Sequence, residues 1–376
     1  MTAPPLRTPT TTATVPEDHV PYISRPITTL PTHKVTTSEI IDDIAGRHPD
    51  HPQLRVIPRV IGNLGVQTRY FSRPLTAATV SGDATIEERS TAAFTDALAL
   101  ATNAAQQALA AAGLTPGPDP GSYPDIDAII TTHSTGWSVP NLDIHLIAAL
   151  GLRPTVRRIA LTTMACAGGT QALTRAVDLI AARPGSKVLV IAAEIISSVY
   201  NHNDTSIEAM IYKALFGDSA AACIVSDQPL GPGLHIAGPD DTLEYVLPGS
   251  VDRYSGRIGT DGFHFDSTKE ALTAADDVLP TVLDWIGPDQ SVDWAAIHPG
   301  SPRIITDTAR ALGLDDVDTR HSTATLTEEG NLGGVSILRV LERTYADPPE
   351  DGAAGVVVAY GPGFTTAALR GTWHTT

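Results

Sequence analysis

Apolar residues along the chain switch repeatedly between helical and strand spacing. The alanine-rich run from Glu87 to Gly113 has helical periodicity and ends on a glycine, which predicts a long helix stopped by a left-handed cap. Asp125 to Thr132 reads as a buried strand that runs into the polar turn Ser134-Thr135-Gly136-Trp137-Ser138-Val139-Pro140. Asn141 to Leu150 is again helical. Leu161 to Thr170 lies between an apolar run and a segment in which Leu173, Val177 and Ile180 share one helical face, so it predicts strand, glycine turn, helix. Lys187 to Ala193 is almost wholly apolar, as expected of a strand covered on both faces. A helix over Ala209 to Leu215 and a turn and strand over Phe216 to Val225 follow.

Gly and Pro gather around Pro229 to Gly233, and the alternation then resumes. Glu270 to Ile286 and Pro302 to Leu312 predict helices. Between them Trp294 to Ile297 is a short strand ending in His298-Pro299-Gly300. Asn331 opens a helix over Leu332 to Tyr345, and the strand Gly355 to Ala359 empties into Tyr360-Gly361-Pro362-Gly363-Phe364. At the other end, residues 1–20 are rich in Thr and Pro and are expected to be a disordered tail. Short helices are expected over Ser38 to Ala45 and Arg55 to Asn63. The pattern as a whole predicts an α/β fold of two similar halves, 21–230 and 231–376, with a site where they meet.

Composition narrows the function. The 376 residues carry a net charge of −17, which disfavours nucleic acid or an anionic membrane as partner. Two cysteines, Cys166 and Cys223, are too few for a disulfide framework or a cysteine-based zinc site. The N-terminus has no signal-peptide core and no run of about 18 apolar residues appears, so a soluble, cytoplasmic protein is expected. An anionic substrate would need a local basic patch. Arg55, Arg59, Arg69 and Arg73 form the obvious cluster, with pairing to nearby carboxylates as the alternative.

Three residues carry candidate chemistry, each at an element edge beside glycine: Cys166, His298 and Asn331. A thiol at a helix start meets unpaired N–H groups and the positive end of the helix dipole, which favour thiolate. An inert buried cysteine is the competing reading for Cys166, and the favoured one for Cys223, which has no basic neighbour in sequence. An imidazole supplies the base a thiol nucleophile needs, while Asn and His side chains can donate hydrogen bonds to an oxyanion. Together they suit acyl transfer onto sulfur followed by enolate stabilisation. Glu194, a lone carboxylate ending an apolar run, reads as a structural hydrogen-bond partner in preference to a site residue.

The strings Cys166-Ala167-Gly168-Gly169-Thr170, Ala214-Leu215-Phe216-Gly217-Asp218, His298-Pro299-Gly300-Ser301-Pro302, Glu329-Gly330-Asn331 and Tyr360-Gly361-Pro362-Gly363 resemble type III polyketide synthases, the chalcone-synthase-like enzymes. They fall in that family's order, from about residue 20 to 372. The resemblance implies the thiolase fold, with an αβαβα layering in duplicated halves, and a homodimer. It also implies coenzyme A thioesters as substrates, no tightly bound cofactor or metal, and decarboxylative condensation of an acyl starter with malonyl-CoA or a substituted malonyl-CoA.

Carried over, Cys166 holds the growing chain, and His298 and Asn331 form the oxyanion hole, with His298 also keeping Cys166 ionised. Phe216 and Phe265 match the gatekeeping phenylalanines. Arg55 and Arg59 fall where coenzyme A phosphates bind, with Asn63 in place of a third basic residue. Ser134 and Thr135 line the cavity, Val139 approaches the partner subunit's cavity, and the Gly361, Pro362, Gly363 loop scaffolds cyclisation. Ile196 and Val199 stand where plant enzymes often carry threonine, and Gly333 where they carry serine. Lost hydroxyls and a glycine-widened wall predict an aliphatic starter and a pyrone or resorcinol product.

A ketoacyl synthase III-type enzyme using acyl carrier protein is the alternative. Pro299 and the Gly-Pro-Gly loop weigh against it. A hydroxymethylglutaryl-CoA synthase would need a glutamate near the cysteine, and the sequence places none convincingly. A non-catalytic thiolase-fold partner would typically lose the nucleophile, which is present here.

Overall fold

A computed structural model describes residues 20–81, 84–117, 123, 125–199, 204–259, 262–268, 270 and 273–375. The expected tail, apart from residue 20, lies outside them. Strand trios related by internal repetition form the centre of the molecule. In the first half Ala128–His133 pairs parallel with Lys187–Glu194, which pairs antiparallel with Ser219–Ser226. In the second, Trp294–Ile297 pairs parallel with Ala354–Gly361, which pairs antiparallel with Thr365–His374. Arg157–Thr162 extends the first trio. Tyr22–Ile23 and Gly233–His235 bridge the two trios, so that all of these strands belong to one sheet of eleven.

The inner strands are buried on both faces, and their alternation shows how. Ile130, Val188 and Val190 point to a central core that also takes in Leu173, Val177 and Ile180 of helix Gly168–Ala182 and Ile337, Leu338 and Leu341 of helix Ser336–Ala346. Ile129, Leu189 and Ile191 point the other way, onto Ala97, Ala101, Ala104 and Ala108 of helix Ile86–Ala111. Alanine at this spacing lets the helix lie close to the strands. A capping box between Thr85 and Glu88 starts it, with Gly113 at φ 70° just beyond its end. In the second half Val356 and Val358 face Val278 and Val282 of helix Ala274–Ile286. The result is the layered thiolase-like α/β fold, with two helices in the middle layer.

Several elements differ from the sequence pattern. The helix expected over Arg55 to Asn63 is only Ile57–Gly62, with Pro58 in its first turn. The helix expected from Glu270 begins at Ala274. That from Leu332 is a short 3-10 turn, Gly333–Val335, followed by Ser336–Ala346. An antiparallel hairpin, Tyr254–Gly259 with Gly262–Ser267, and the helix Arg320–Glu329 were not foreseen.

Candidate active site

The sequence around Cys166 folds into a strained strand-to-helix turn. Strand Arg157–Thr162 ends, Thr163 and Ala165 adopt φ of 61° and 47°, and Ala165–Ala167 makes a 3-10 turn into the helix at Gly168. Left-handed backbone at two non-glycine residues stores strain and needs outside support. Thr163 N–H donates to His133 O at 3.1 Å and Ala165 N–H to Ser134 Oγ at 2.9 Å. Both supports come from the end of the neighbouring strand.

The repeated architecture places Asn331 opposite. Its turn, Gly333–Val335, corresponds to that of Cys166, and the two helix starts touch so closely that a Cβ on Gly169 would run into Gly334 O. The Asn331 backbone is fixed by an isolated bridge to the segment after helix Ile207–Leu215: Asn331 N–H donates to Leu215 O at 2.9 Å, and Gly217 N–H to Asn331 O at 3.0 Å. Gly333 N–H donates to Asn331 Oδ1 at 2.9 Å, which leaves the Nδ2 amide 3.9 Å from Cys166 Sγ. Phe216 shares this bridge, so the candidate gatekeeper and the candidate oxyanion donor are held by the same hydrogen bonds.

His298 follows strand Trp294–Ile297, with its N–H on Val358 O at 2.8 Å. Three residues on, Gly361 abuts the cysteine turn: a Cβ there would sit 3.0 Å from Ala167 Cβ. His298 therefore lies at the same end of the sheet as Cys166 and Asn331. Neither of its ring nitrogens has a hydrogen-bond partner among the described residues, so no Cys166–His298 bond exists in this arrangement. Burial pushes His298 down to about 3. Burial likewise pushes the Cys166 thiol up to about 12, opposed by its hydrogen bond with Asn331 and reinforced by the negative charge of Glu194. Burial thus disfavours both the thiolate and the imidazolium, against the pull of the helix dipole.

Glu194 is the structural hydrogen-bond partner expected, and the expectation that no glutamate lies near the cysteine is the one corrected. It is buried at the strand end, takes a hydrogen bond from Ser134 N–H at 3.1 Å, and lies near enough to Cys166 to disfavour thiolate. Burial raises its own carboxyl to about 7. A glutamate does stand near the cysteine. Gly333 is a second correction: it sits at φ 58°, and a Cβ there would be 3.1 Å from both Glu194 Cγ and Ile196 Cδ1. The glycine admits a left-handed turn and close packing, and it does not widen the wall.

Phe216 and Phe265 meet through a residue the sequence did not single out. Tyr212 stacks on Phe216 at 5.8 Å and meets Phe265 edge-on at 5.7 Å and Tyr254 edge-on at 5.9 Å. Tyr212 and Tyr254 also hydrogen-bond, and Tyr254 lies within electrostatic reach of Cys166. Tyr254 belongs to the unforeseen hairpin, so no pattern pointed to it. Ile196 packs with Phe216, and Val199 closes the same 3-10 turn beside residues outside the described set. Thr135 is buried, with Ile195 N–H on its Oγ1 at 2.8 Å, whereas Val139 is exposed. Gly361 begins the turn Pro362–Phe364, with Gly363 at φ 65°.

The four arginines do not form one patch. Arg69 is fully buried and donates to Thr37 Oγ1 and the Ala214 carbonyl, while Arg73 pairs with Asp96 at 2.8 Å. Arg55 and Arg59 are exposed, one helical turn apart, with Asn63 a turn further on. Cys223 is buried and inert, its thiol also pushed up to about 12 by burial alone. No group of three potential metal ligands occurs among the described residues, nor a helix long and apolar enough to cross a membrane.

Comparison with known proteins follows this geometry. Residues 68–229 match the family profile described as chalcone and stilbene synthases, N-terminal domain, and residues 241–371 the corresponding C-terminal domain. The chain is 30% identical to a 1,3,6,8-tetrahydroxynaphthalene synthase of Streptomyces griseus, covering 93% of this chain and 92% of that one. It is also 30% identical to a phloroglucinol synthase of Pseudomonas fluorescens, over 92% and 97% of the two chains. The solved 1,3,6,8-tetrahydroxynaphthalene synthase of Streptomyces coelicolor superposes with a TM-score of 0.87 at 31% identity, covering 94% of this chain and all of that one.

Proposed function

The chain belongs to the chalcone and stilbene synthase family and is an acyltransferase of the type III polyketide synthase kind; from this we propose that it loads an acyl-CoA starter on Cys166 and extends it with malonyl-CoA or a substituted malonyl-CoA. The observation that carries the assignment is the Asn331 amide aimed at Cys166 Sγ from 3.9 Å on a bridge shared with Phe216.

In loading, the Cys166 sulfur attacks the thioester carbonyl as its proton passes to His298, and coenzyme A leaves with that proton. The buried neutral imidazole and neutral thiol favour transfer during the attack over a standing ion pair. Extension begins when the malonyl carboxylate departs as carbon dioxide. The electron pair of the broken C–C bond moves onto the thioester oxygen, giving an enolate. Asn331 Nδ2–H and the His298 ring N–H donate to that oxygen. The enolate carbon then attacks the acyl carbonyl and expels the Cys166 thiolate.

Arg55 and Arg59 receive the coenzyme A phosphates: they are exposed, and no carboxylate pairs with either among the described residues. The Gly361, Pro362, Gly363 turn scaffolds ring closure to a pyrone or resorcinol product. Apolar Ile196 and Val199 still favour an aliphatic starter. The ring cluster and the occupied space beside Gly333 favour a short one. Two chains form the working enzyme, with Val139 of each reaching the other. The test is product analysis by mass spectrometry with malonyl-CoA alone and with a panel of acyl-CoA starters, without carrier protein. Pyrone or resorcinol products from short aliphatic starters support the reading. Faster turnover of an aromatic starter such as coumaroyl-CoA removes the starter preference, and a strict need for carrier protein removes the function.

A further inference from the structure

The turn that presents Cys166 has left-handed backbone at Thr163 and Ala165, and something must hold it there. Both amides of that turn are satisfied from residues 133 and 134. Those residues are themselves fixed. The His133 ring bonds Thr135 O at 3.1 Å and Asn141 Oδ1 at 2.6 Å, and Asn141 Oδ1 also accepts from Leu142 N–H at 2.7 Å. Ser134 stands at the junction. Its hydroxyl oxygen accepts from Ala165 N–H, its own N–H donates to Glu194 Oε2, and its side chain also hydrogen-bonds the Glu194 carboxyl.

We propose that Ser134 is a positioning residue that keeps the nucleophile turn in its strained form, anchored in turn by the Glu194 carboxyl. The proposal rests on Cys166 being the nucleophile. Two hydrogen bonds support it: the Ser134 hydroxyl accepts from the N–H of the residue immediately before the cysteine, and Ser134 N–H donates to Glu194 Oε2.

The experiment measures iodoacetamide alkylation of Cys166 by peptide mass analysis, with kcat and KM for malonyl-CoA, in native protein, Ser134→Ala and Ser134→Thr. Ser134→Ala is expected to lower kcat about ten-fold with KM little changed, because the sulfur is misplaced. Ser134→Thr, which keeps the hydroxyl, restores it. Native kcat and alkylation in Ser134→Ala, or no recovery in folded Ser134→Thr, overturns the proposal. Thermal melts check folding of each variant. A Cys166→Ala control keeps the cases apart: persistent carbon–carbon bond formation there would sink the catalytic assignment itself.

Discussion

Asn331 combines backbone hydrogen bonds on both sides of its peptide with an amide aimed at Cys166. Its peptide is bonded on both sides and its Oδ1 is occupied by Gly333 N–H, so only Nδ2 is free to meet a developing oxyanion. Asn331→Ala should therefore leave substrate affinity nearly intact and cut malonyl-CoA decarboxylation by roughly a hundred-fold or more, as removing one oxyanion donor does. Carbon dioxide release under saturating substrate checks this; a loss confined to KM would contradict it. Glu194 yields a second expectation. Its carboxyl is raised from 4.5 to about 7 by burial, so the folded state holds a proton that the unfolded state gives up. Its contribution to stability is fully present below about pH 4.5 and is lost as pH rises through about 7. Glu194→Gln removes that loss. Thermal melts of variant and native protein should differ more, in the variant's favour, at pH 8 than at pH 5.

At the scale of elements, the helix Ile57–Gly62 makes the clearest case. Arg59 extends from it and Arg55 from the turn just before it, both without carboxylate partners among the described residues, in a chain of net charge −17. Reversing both, Arg55→Glu with Arg59→Glu, should raise KM for acyl-CoA and malonyl-CoA while leaving kcat near native, and the native KM should rise with salt. Equal KM values for the CoA thioester and a truncated pantetheine thioester in native protein would argue against phosphate contacts. The same scale shows where the sequence was readable. Strands Trp294–Ile297 and Lys187–Glu194 and helix Pro302–Leu312 follow directly from apolar runs and glycine or proline punctuation. Cys166, His298 and Asn331 were visible because each ends an element beside glycine. The hairpin of Tyr254 was not, because its strands carry polar and glycine residues on both faces and alternate weakly. Arg69 was misjudged for another reason. Only the tertiary structure reveals that a guanidinium caps the carbonyl of Ala214 inside the protein. Gly333 was misread because its role depends on Glu194: sequence shows a small residue and a lone acid, and the packing shows one filling the space of the other.

For the whole molecule, the loop that supports the nucleophile also carries the largest exposed aromatic side chain. Trp137 and Val139 are each 79% exposed, on a segment whose base is pinned by the His133 bonds and by Trp137 N–H on Ser90 Oγ at 3.0 Å. A rigid loop that holds two large apolar side chains in water gains by covering them, and a second copy of the chain offers the same rigid loop in return. Light scattering on the purified protein should give twice the chain mass. Trp137→Glu, which keeps both backbone bonds to Ser90, should shift it toward the monomer by placing charge in that interface. Activity should fall with the dimer fraction, since the loop that loses its cover is continuous with Ser134 and, through it, with the turn of Cys166. A native protein that stays monomeric at assay concentration, or a Trp137→Glu monomer with full activity, would separate the exposed loop from catalysis.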